Sequence, residues 1–335
     1  MQHNQDFKVT KCLKSEISDV AAFLKLMETS GASFLPQNEQ YLLNKYRSYE
    51  KNDRHLSLFL LKNSQGIIKG VSGYVPFKGL FRGKPLNGFV GTDAIISPEE
   101  RKKIPTLAMV LAHSYEQLVR RDRLLPLVCP ADKTVSEYFK KVRWGEFSHA
   151  YKFFHPLAAQ FSPVLKKGGI EIRKIDIFEK DIDVFFKRIA PQHDFLLHAD
   201  RNFLNWKYFK NPYGRYVVLA AYQDKDVVGY FVAEKIENDI CVVDITVNLE
   251  YPRVILLLLF GSLDYFEKNM VTRIVCCLSH GRYMEILRKV GFLNCWDTEF
   301  LFFKVGLLFS SISQDDFYST NKKCYHLNGF AQHLY

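Results

Sequence analysis

Thr92-Asp93-Ala94-Ile95-Ile96 is a short apolar stretch carrying one acid, and Val243-Asp244-Ile245-Thr246-Val247 is its echo, 244 − 93 = 151 residues on. Three further stretches recur around it in the same order. Tyr41-Leu42-Leu43-Asn44-Lys45-Tyr46 is answered by Phe203-Leu204-Asn205-Trp206-Lys207-Tyr208. Leu56 to Leu61, a polar turn and Ile67-Ile68-Lys69-Gly70 read as a β-hairpin. So do Tyr216 to Ala221, a turn at Asp224-Lys225-Asp226, and Val227-Val228-Gly229, at an offset of 229 − 70 = 159. Last come Tyr138-Phe139-Lys140-Lys141-Val142-Arg143-Trp144 and Ile286-Leu287-Arg288-Lys289-Val290-Gly291-Phe292, at 289 − 141 = 148. One such likeness is worthless; four in register predict a duplicated domain whose second copy has shorter loops.

Each copy reads as a mixed α/β unit. Apolar spacing predicts an amphipathic helix over Ile17 to Glu28, and in the second copy over Phe178 to Ile189, before a second short helix and a meander of strands. After the acid-bearing strand comes a long helix, Pro105 to Arg121 in one copy and Val254 to Lys268 in the other. A short strand follows (Leu125 to Val128; Arg273 to Cys276), then a short helix and a final strand. Pro163, Lys166, Lys167, Gly168 and Gly169 mark a linker. The expected fold class is therefore α/β, a tandem of two similar domains packed with a cleft between them, each a mixed, mostly antiparallel sheet flanked by helices. The expected division is residues 1–160, a linker at 161–169, and residues 170–335.

The 335 residues, 47% hydrophobic and 24% charged, exclude a disordered or fibrous chain. A net charge of +10 favours anionic partners: phosphate-bearing cofactors, nucleic acid or the inner membrane surface. The longest aliphatic run, Val254 to Phe260, is far short of the roughly 20 residues that span a bilayer. The chain opens on no basic segment followed by an apolar one, so a cytoplasmic location is expected. The seven cysteines make an odd count without C-x-x-C spacing and read as reduced, mostly buried thiols.

The order helices, three-strand meander, acid-bearing strand, long helix, strand and a helix ending in Lys289-Val290-Gly291-Phe292 resembles the Gcn5-related N-acetyltransferase superfamily, once per half. More narrowly, Trp206 to Gly214 and the same helix end resemble tandem acetyltransferase-like proteins of bacterial surface-polysaccharide clusters. The resemblance implies a transferase taking acetyl-CoA or another acyl-CoA, laid in a V-shaped gap where the acid-bearing strand splays from its neighbour. The diphosphate would rest on backbone amides of the loop that enters the long helix, where glycines permit close approach.

That loop is Ser97-Pro98-Glu99-Glu100-Arg101-Lys102-Lys103-Ile104-Pro105-Thr106, which departs from the family pattern [R/Q]-x-x-G-x-[G/A]. Arg101, Lys102 and Lys103 suit a phosphate and Pro105 suits a first helical turn, but Ile104 and Thr106 hold the glycine places. The alternative is a solvated basic turn. Ile95 and Ile96, ending the strand, complete the expected donor site. In the second copy Leu249-Glu250-Tyr251-Pro252-Arg253 has neither glycine nor basic cluster, so the first half is expected to hold the cofactor and the second to supply substrate walls and scaffold.

Amide formation from a thioester needs a neutral amine, a polarised carbonyl and a proton donor for the thiolate. Asp93 is the candidate general base, directly or through water; the alternative is an acid bonding a neighbouring loop. Tyr138 is the candidate thiolate acid, though aligning the helix ends puts Phe139 at the family's tyrosine position, and a packed aromatic is its alternative. His113 reads as a helical side chain without catalytic role. His193, Asp194, His198 and Asp200 lack a full ligand set and read as polar loop, so no metal is expected. Trp206, Tyr208 and Tyr213 are core aromatics or the lining of a sugar or peptide groove. The expected reaction is N-acylation, with acetyl as the expected group, of a small-molecule or sugar amine, with no nucleic acid involved. Two rivals stand beside it: a Fem-type peptidyltransferase using aminoacyl-tRNA, and a binding protein with degenerate acetyltransferase-like domains.

Overall fold

The computed structural model describes residues 7–28, 38–46, 54–101, 118, 124–128, 145–157, 168–197, 199–211, 214–266, 271–278 and 281–303. Strand β1 (Phe7–Leu13) passes through a 3-10 turn (Lys14–Glu16) into α1 (Ile17–Glu28), whose bounds are those the apolar spacing predicts. Ile17, Val20, Phe23, Leu24 and Met27 form its buried stripe and pack on Tyr41, Leu42 and Tyr46 of α2 (Glu39–Tyr46). A meander follows: β2 (His55–Asn63), β3 (Ile68–Phe81) and β4 (Lys84–Ile96). Asn63 closes the first turn, its Oδ1 accepting from the amides of Gln65 and Ile67, while Gly66 takes the left-handed conformation the turn requires (φ +79). A helical turn α3 (Pro98–Arg101), β5 (Leu125–Val128) and β6 (Gly145–Pro156) complete this half.

The second half runs β7 (Ile170–Lys174), α4 (Asp181–Ile189), β8 (Phe195–Leu197), and α5 (Arg201–Leu204) continuing into a π-helical turn (Asn205–Phe209). It goes on with β9 (Val217–Gln223), β10 (Asp226–Ile236), β11 (Asp239–Val247), α6 (Val254–Gly261), β12 (Arg273–Leu278), α7 (Gly281–Lys289) and β13 (Leu293–Phe303). Val254 to Phe260 of α6 are all buried, as an all-apolar helix must be.

Among the described residues all strands join one 13-stranded sheet in the order β1-β2-β3-β4-β5-β13-β6-β12-β11-β10-β9-β7, with β8 pairing β3 off this path. Among the described residues only β4–β5 and β11–β12 run parallel. The final strands are exchanged: β6, from the first half, pairs with β12 of the second, and β13 pairs with β5 of the first. The two exchanged strands also pair with each other at the centre of the sheet. Neither half has a complete sheet without the other's last strand.

Corresponding backbone bonds recur in both halves. Gly88↔Leu125, Phe89↔Pro126 and Val90↔Leu127 in the first parallel pair match Asp239↔Arg273, Ile240↔Ile274 and Cys241↔Val275 in the second, at offsets 239 − 88 = 151 and 273 − 125 = 148. The Ser97 amide donates to the Lys69 carbonyl as the Asn248 amide donates to that of Val228, and Glu100 bonds Ser97 as Tyr251 bonds Asn248. Both acid-bearing strands bulge beside the acid, and Asp93 takes a positive φ of 45° there.

Candidate functional site

The sheet opens at the end of its second parallel pair, β11–β12. Strands β11 and β12 pair only as far as Cys241↔Val275, although β11 runs on to Val247 and β12, now bonded to β6, to Leu278. Two strands that continue without pairing must diverge, and a V-shaped notch results. In the first half the described ladder reaches Gly91↔Val128, the last described residue of β5, and β4 continues to Ile96.

The second notch is filled from within. The Tyr283 hydroxyl, on α7, accepts from the Val247 amide (3.0 Å) and donates to the Val247 carbonyl (2.9 Å). Tyr283 is fully buried, and burial holds its phenol well above the usual range. These backbone groups point toward the place β12 would occupy had it not veered away, so the phenol satisfies what the splay exposed. The loop beyond is equally committed. Gln192 donates to Asn248 Oδ1 (2.7 Å) and accepts from the Leu249 amide (2.8 Å), and Asn248 Oδ1 also accepts from the Glu250 amide (3.0 Å). With those amides engaged and Glu250 adding negative charge, this loop is a poor anion cradle.

The first half differs at the matching positions. Ser97, where Asn248 stands in the second half, is 6% exposed, and its hydroxyl has no hydrogen-bond partner. The Ser97-Pro98-Glu99-Glu100 sequence has the form of a capping box, yet the Glu100 amide bonds the Ser97 carbonyl instead of its hydroxyl. The Thr92 hydroxyl on the same strand is likewise buried without a partner; 151 residues on stands Val243. Ile95 and Ile96 pair with Val71 and Gly70 and turn their side chains into the interior. Arg101 ends the helical turn. Lys102, Lys103, Ile104, Pro105, Thr106 and Tyr138 lie outside the described residues, as do His113, His198 and Tyr213.

Asp93 faces α2. Its Oδ2 accepts from the Tyr46 hydroxyl and pairs with Lys45 Nζ at 2.5 Å, both side chains under a tenth exposed. Burial lowers the Lys45 pKa while the Asp93 charge opposes the drop. The second half repeats the arrangement with altered bonds: Asp244 accepts from Tyr208 (2.7 Å) and Tyr230 (3.0 Å). Lys207 Nζ lies 4.9 Å from the centre of the Tyr208 ring, and burial pushes its pKa down to about 8. Lys45, Tyr46, Tyr283, Gln192 and Asn248 are thus site residues that sequence reasoning passed over. The recurring Lys-Tyr pair of the helix echo was the signal for the first two.

His193 is buried, and the Asp194 carbonyl accepts from the Arg82 amide (2.6 Å). Asp200 caps α5 through the Phe203 amide (2.9 Å). Among the described residues no group of three His, Cys, Asp or Glu side chains is placed to hold a metal, and no helix is long and apolar enough to cross a membrane. Tyr208 packs edge-on to Tyr216 in the core and Trp206 lies against Phe203.

No protein-family model and no curated protein sequence matches the chain. Solved structures do match. A GCN5-related N-acetyltransferase from Anabaena variabilis superposes over 89% of this chain and 72% of its own (TM-score 0.67, 11% identity). A conserved protein of unknown function from Enterococcus faecalis, described as a probable N-acyltransferase, covers 88% and 72% (0.64, 10%). N-myristoyltransferase from Saccharomyces cerevisiae with bound myristoyl-CoA covers 98% and 91% (0.62, 11%). The splayed parallel pair β11–β12, the bulged acid-bearing strands and these likenesses agree: the chain has the fold of the GCN5-related N-acetyltransferases.

Proposed function

We propose that the chain is a tandem acyltransferase in which the first half, residues 1–160, binds the acyl-CoA donor and the second, residues 170–335, supplies scaffold and acceptor wall. One observation carries this asymmetry. The second notch is stopped by Tyr283 and its loop is bonded to itself, whereas the first half leaves the Ser97 hydroxyl unbonded at the corresponding place. Buried polar groups are ordinarily satisfied, so an orphan at a notch is a place where a ligand belongs. The donor would lie along Ile95 and Ile96, with its diphosphate at Arg101, Lys102, Lys103, Ile104, Pro105 and Thr106. A neighbour named as an N-acetyltransferase and one with bound myristoyl-CoA support this class of donor.

In the proposed reaction a neutral amine attacks the thioester carbonyl, the thiolate leaves, and the amine loses a proton. Tyr138 is the proposed acid for the thiolate and Asp93 the proposed base for the amine. A second reading of Asp93 is favoured by the recurrence of its cluster around Asp244, in the half whose notch is closed. There the acid ties helix to strand, and Asp93 does the same for α2 and β4. The acceptor we favour, an amino sugar of a surface polysaccharide, and the acetyl group rest on the resemblance of Trp206 to Gly214 and Lys289 to Phe292.

Calorimetric titration with acetyl-CoA tests the reading: one site per chain is expected, weakened at least tenfold in Arg101→Glu. Unchanged affinity in that variant removes the loop from the site. Absence of binding, with transfer from radiolabelled aminoacyl-tRNA, would favour the peptidyltransferase. Absence of both would leave a binding protein.

A further inference from the structure

Around Asp93, where the proposed reaction places the thioester carbonyl, both faces of the sheet are closely packed. On the face toward α2, Tyr46 is 1% exposed and its ring is seated on Gly73 of β3. A Cβ on that glycine would stand 2.5 Å from Tyr46 Cε1 and 2.7 Å from Thr92 Oγ1. Only a residue without a side chain lets the ring come so close to the strand. Gly73 pairs with Thr92, the residue before Asp93, and the Tyr46 hydroxyl donates to Asp93 Oδ2. Ring, glycine and threonine together fill the space between α2 and the sheet beside the acid.

The opposite face is filled by other rings. Tyr74 follows Gly73, so its side chain lies on that other face, where it pairs across with Gly91. Its ring centre is 5.6 Å from that of Phe59 and 5.9 Å from that of Phe89, and these three residues and Leu118 are all under a tenth exposed. A long acyl chain needs a channel, and side chains packed at interior density leave none. From these contacts we infer that Tyr46, seated on Gly73, is a specificity-determining residue for the acyl group. Its ring stops the chain a short way beyond the thioester, so the donor is a short-chain acyl-CoA and long-chain esters are excluded. The inference rests on the proposed donor site in the first half, with Asp93 beside the reacting carbonyl. The N-myristoyltransferase that shares the fold has bound myristoyl-CoA, so it is the side chains around Asp93, and not the fold, that set the limit.

Calorimetric titration of the full chain with acetyl-CoA and octanoyl-CoA tests the inference. Acetyl-CoA should bind about tenfold or more tightly than octanoyl-CoA, the scale on which a closed apolar pocket rejects added methylenes. Tyr46→Ala frees the volume of the ring and should narrow that gap to about threefold or less. Tyr46→Phe keeps the ring, loses only the bond to Asp93 and should leave the gap as in the parent. Urea midpoints establish that the variants are folded, and the comparison of the two esters on the parent chain needs no variant. Octanoyl-CoA bound to the parent as tightly as acetyl-CoA overturns the inference and leaves the donor site standing. An unchanged gap in folded Tyr46→Ala overturns it too. Binding of neither ester removes the donor site itself, and the chain-length limit with it.

Discussion

Tyr283→Phe removes one oxygen from a fully buried ring and nothing else. That oxygen satisfies both the amide and the carbonyl of Val247, itself fully buried. Two orphaned buried groups at about 1–3 kcal/mol each put the expected loss at about 2–6 kcal/mol. Against a domain stability of about 5–15 kcal/mol this is large. Urea unfolding of the parent, Tyr283→Phe and the exposed-site control Tyr265→Phe measures it; the control should fall within about 0.5 kcal/mol of the parent. A Tyr283→Phe midpoint indistinguishable from the control would show that the phenol is not what closes the second notch. The same variant bears on function. The parent chain is expected to take one acetyl-CoA, and Tyr283→Phe should still take one, because the loop beyond Val247 stays closed by Gln192 and Asn248. A second equivalent of bound nucleotide would refute the asymmetry between the halves.

Other expectations follow from the same packing. A Cβ on Gly88 would lie 2.4 Å from Phe77 Cζ and 2.7 Å from the Leu125 carbonyl oxygen, so Gly88→Ala should open the first parallel pair and lower stability by about 1–3 kcal/mol; an unchanged melting temperature contradicts this. Lys45→Met strands the buried Asp93 carboxylate and should cost about 3–5 kcal/mol, with partial recovery in Lys45→Met/Asp93→Asn; equal stability of single and double variants speaks against the ion pair. His155 on β6 is wedged between Phe260 and Phe292, and burial lowers its pKa against the opposing influence of the backbone at Val290 and Pro156. Its contribution to stability is therefore present above pH about 6.5, the unfolded value, and is lost as pH falls through the lower folded value. His155→Gln should flatten unfolding free energy against pH between about 5 and 7; a slope identical to the parent's would exclude it.

The echoes in the sequence made the strand meander, the acid-bearing strands and the short strand Leu125–Val128 legible, because each is written in local apolar spacing that fixes which face is buried. Helix α1 has the predicted bounds for the same reason, while α4 begins at Asp181, three residues after Phe178. The cluster at Asp93 was half legible: the acid stood out and the Lys-Tyr pair recurred, but nothing local says that a helix residue and a strand residue nearly fifty positions apart will be hydrogen-bonded.

What only the tertiary structure decided is the exchange of β6 and β13 and the stopping of the second notch by Tyr283. Strands that end two similar halves meet two similar edges, and nothing in the local sequence chooses between them. The choice is made by contacts far along the chain, such as His155 of the first half seated between Phe260 and Phe292 of the second. Local periodicity encodes how much of a segment is buried; which partner buries it is a property of the whole packed chain.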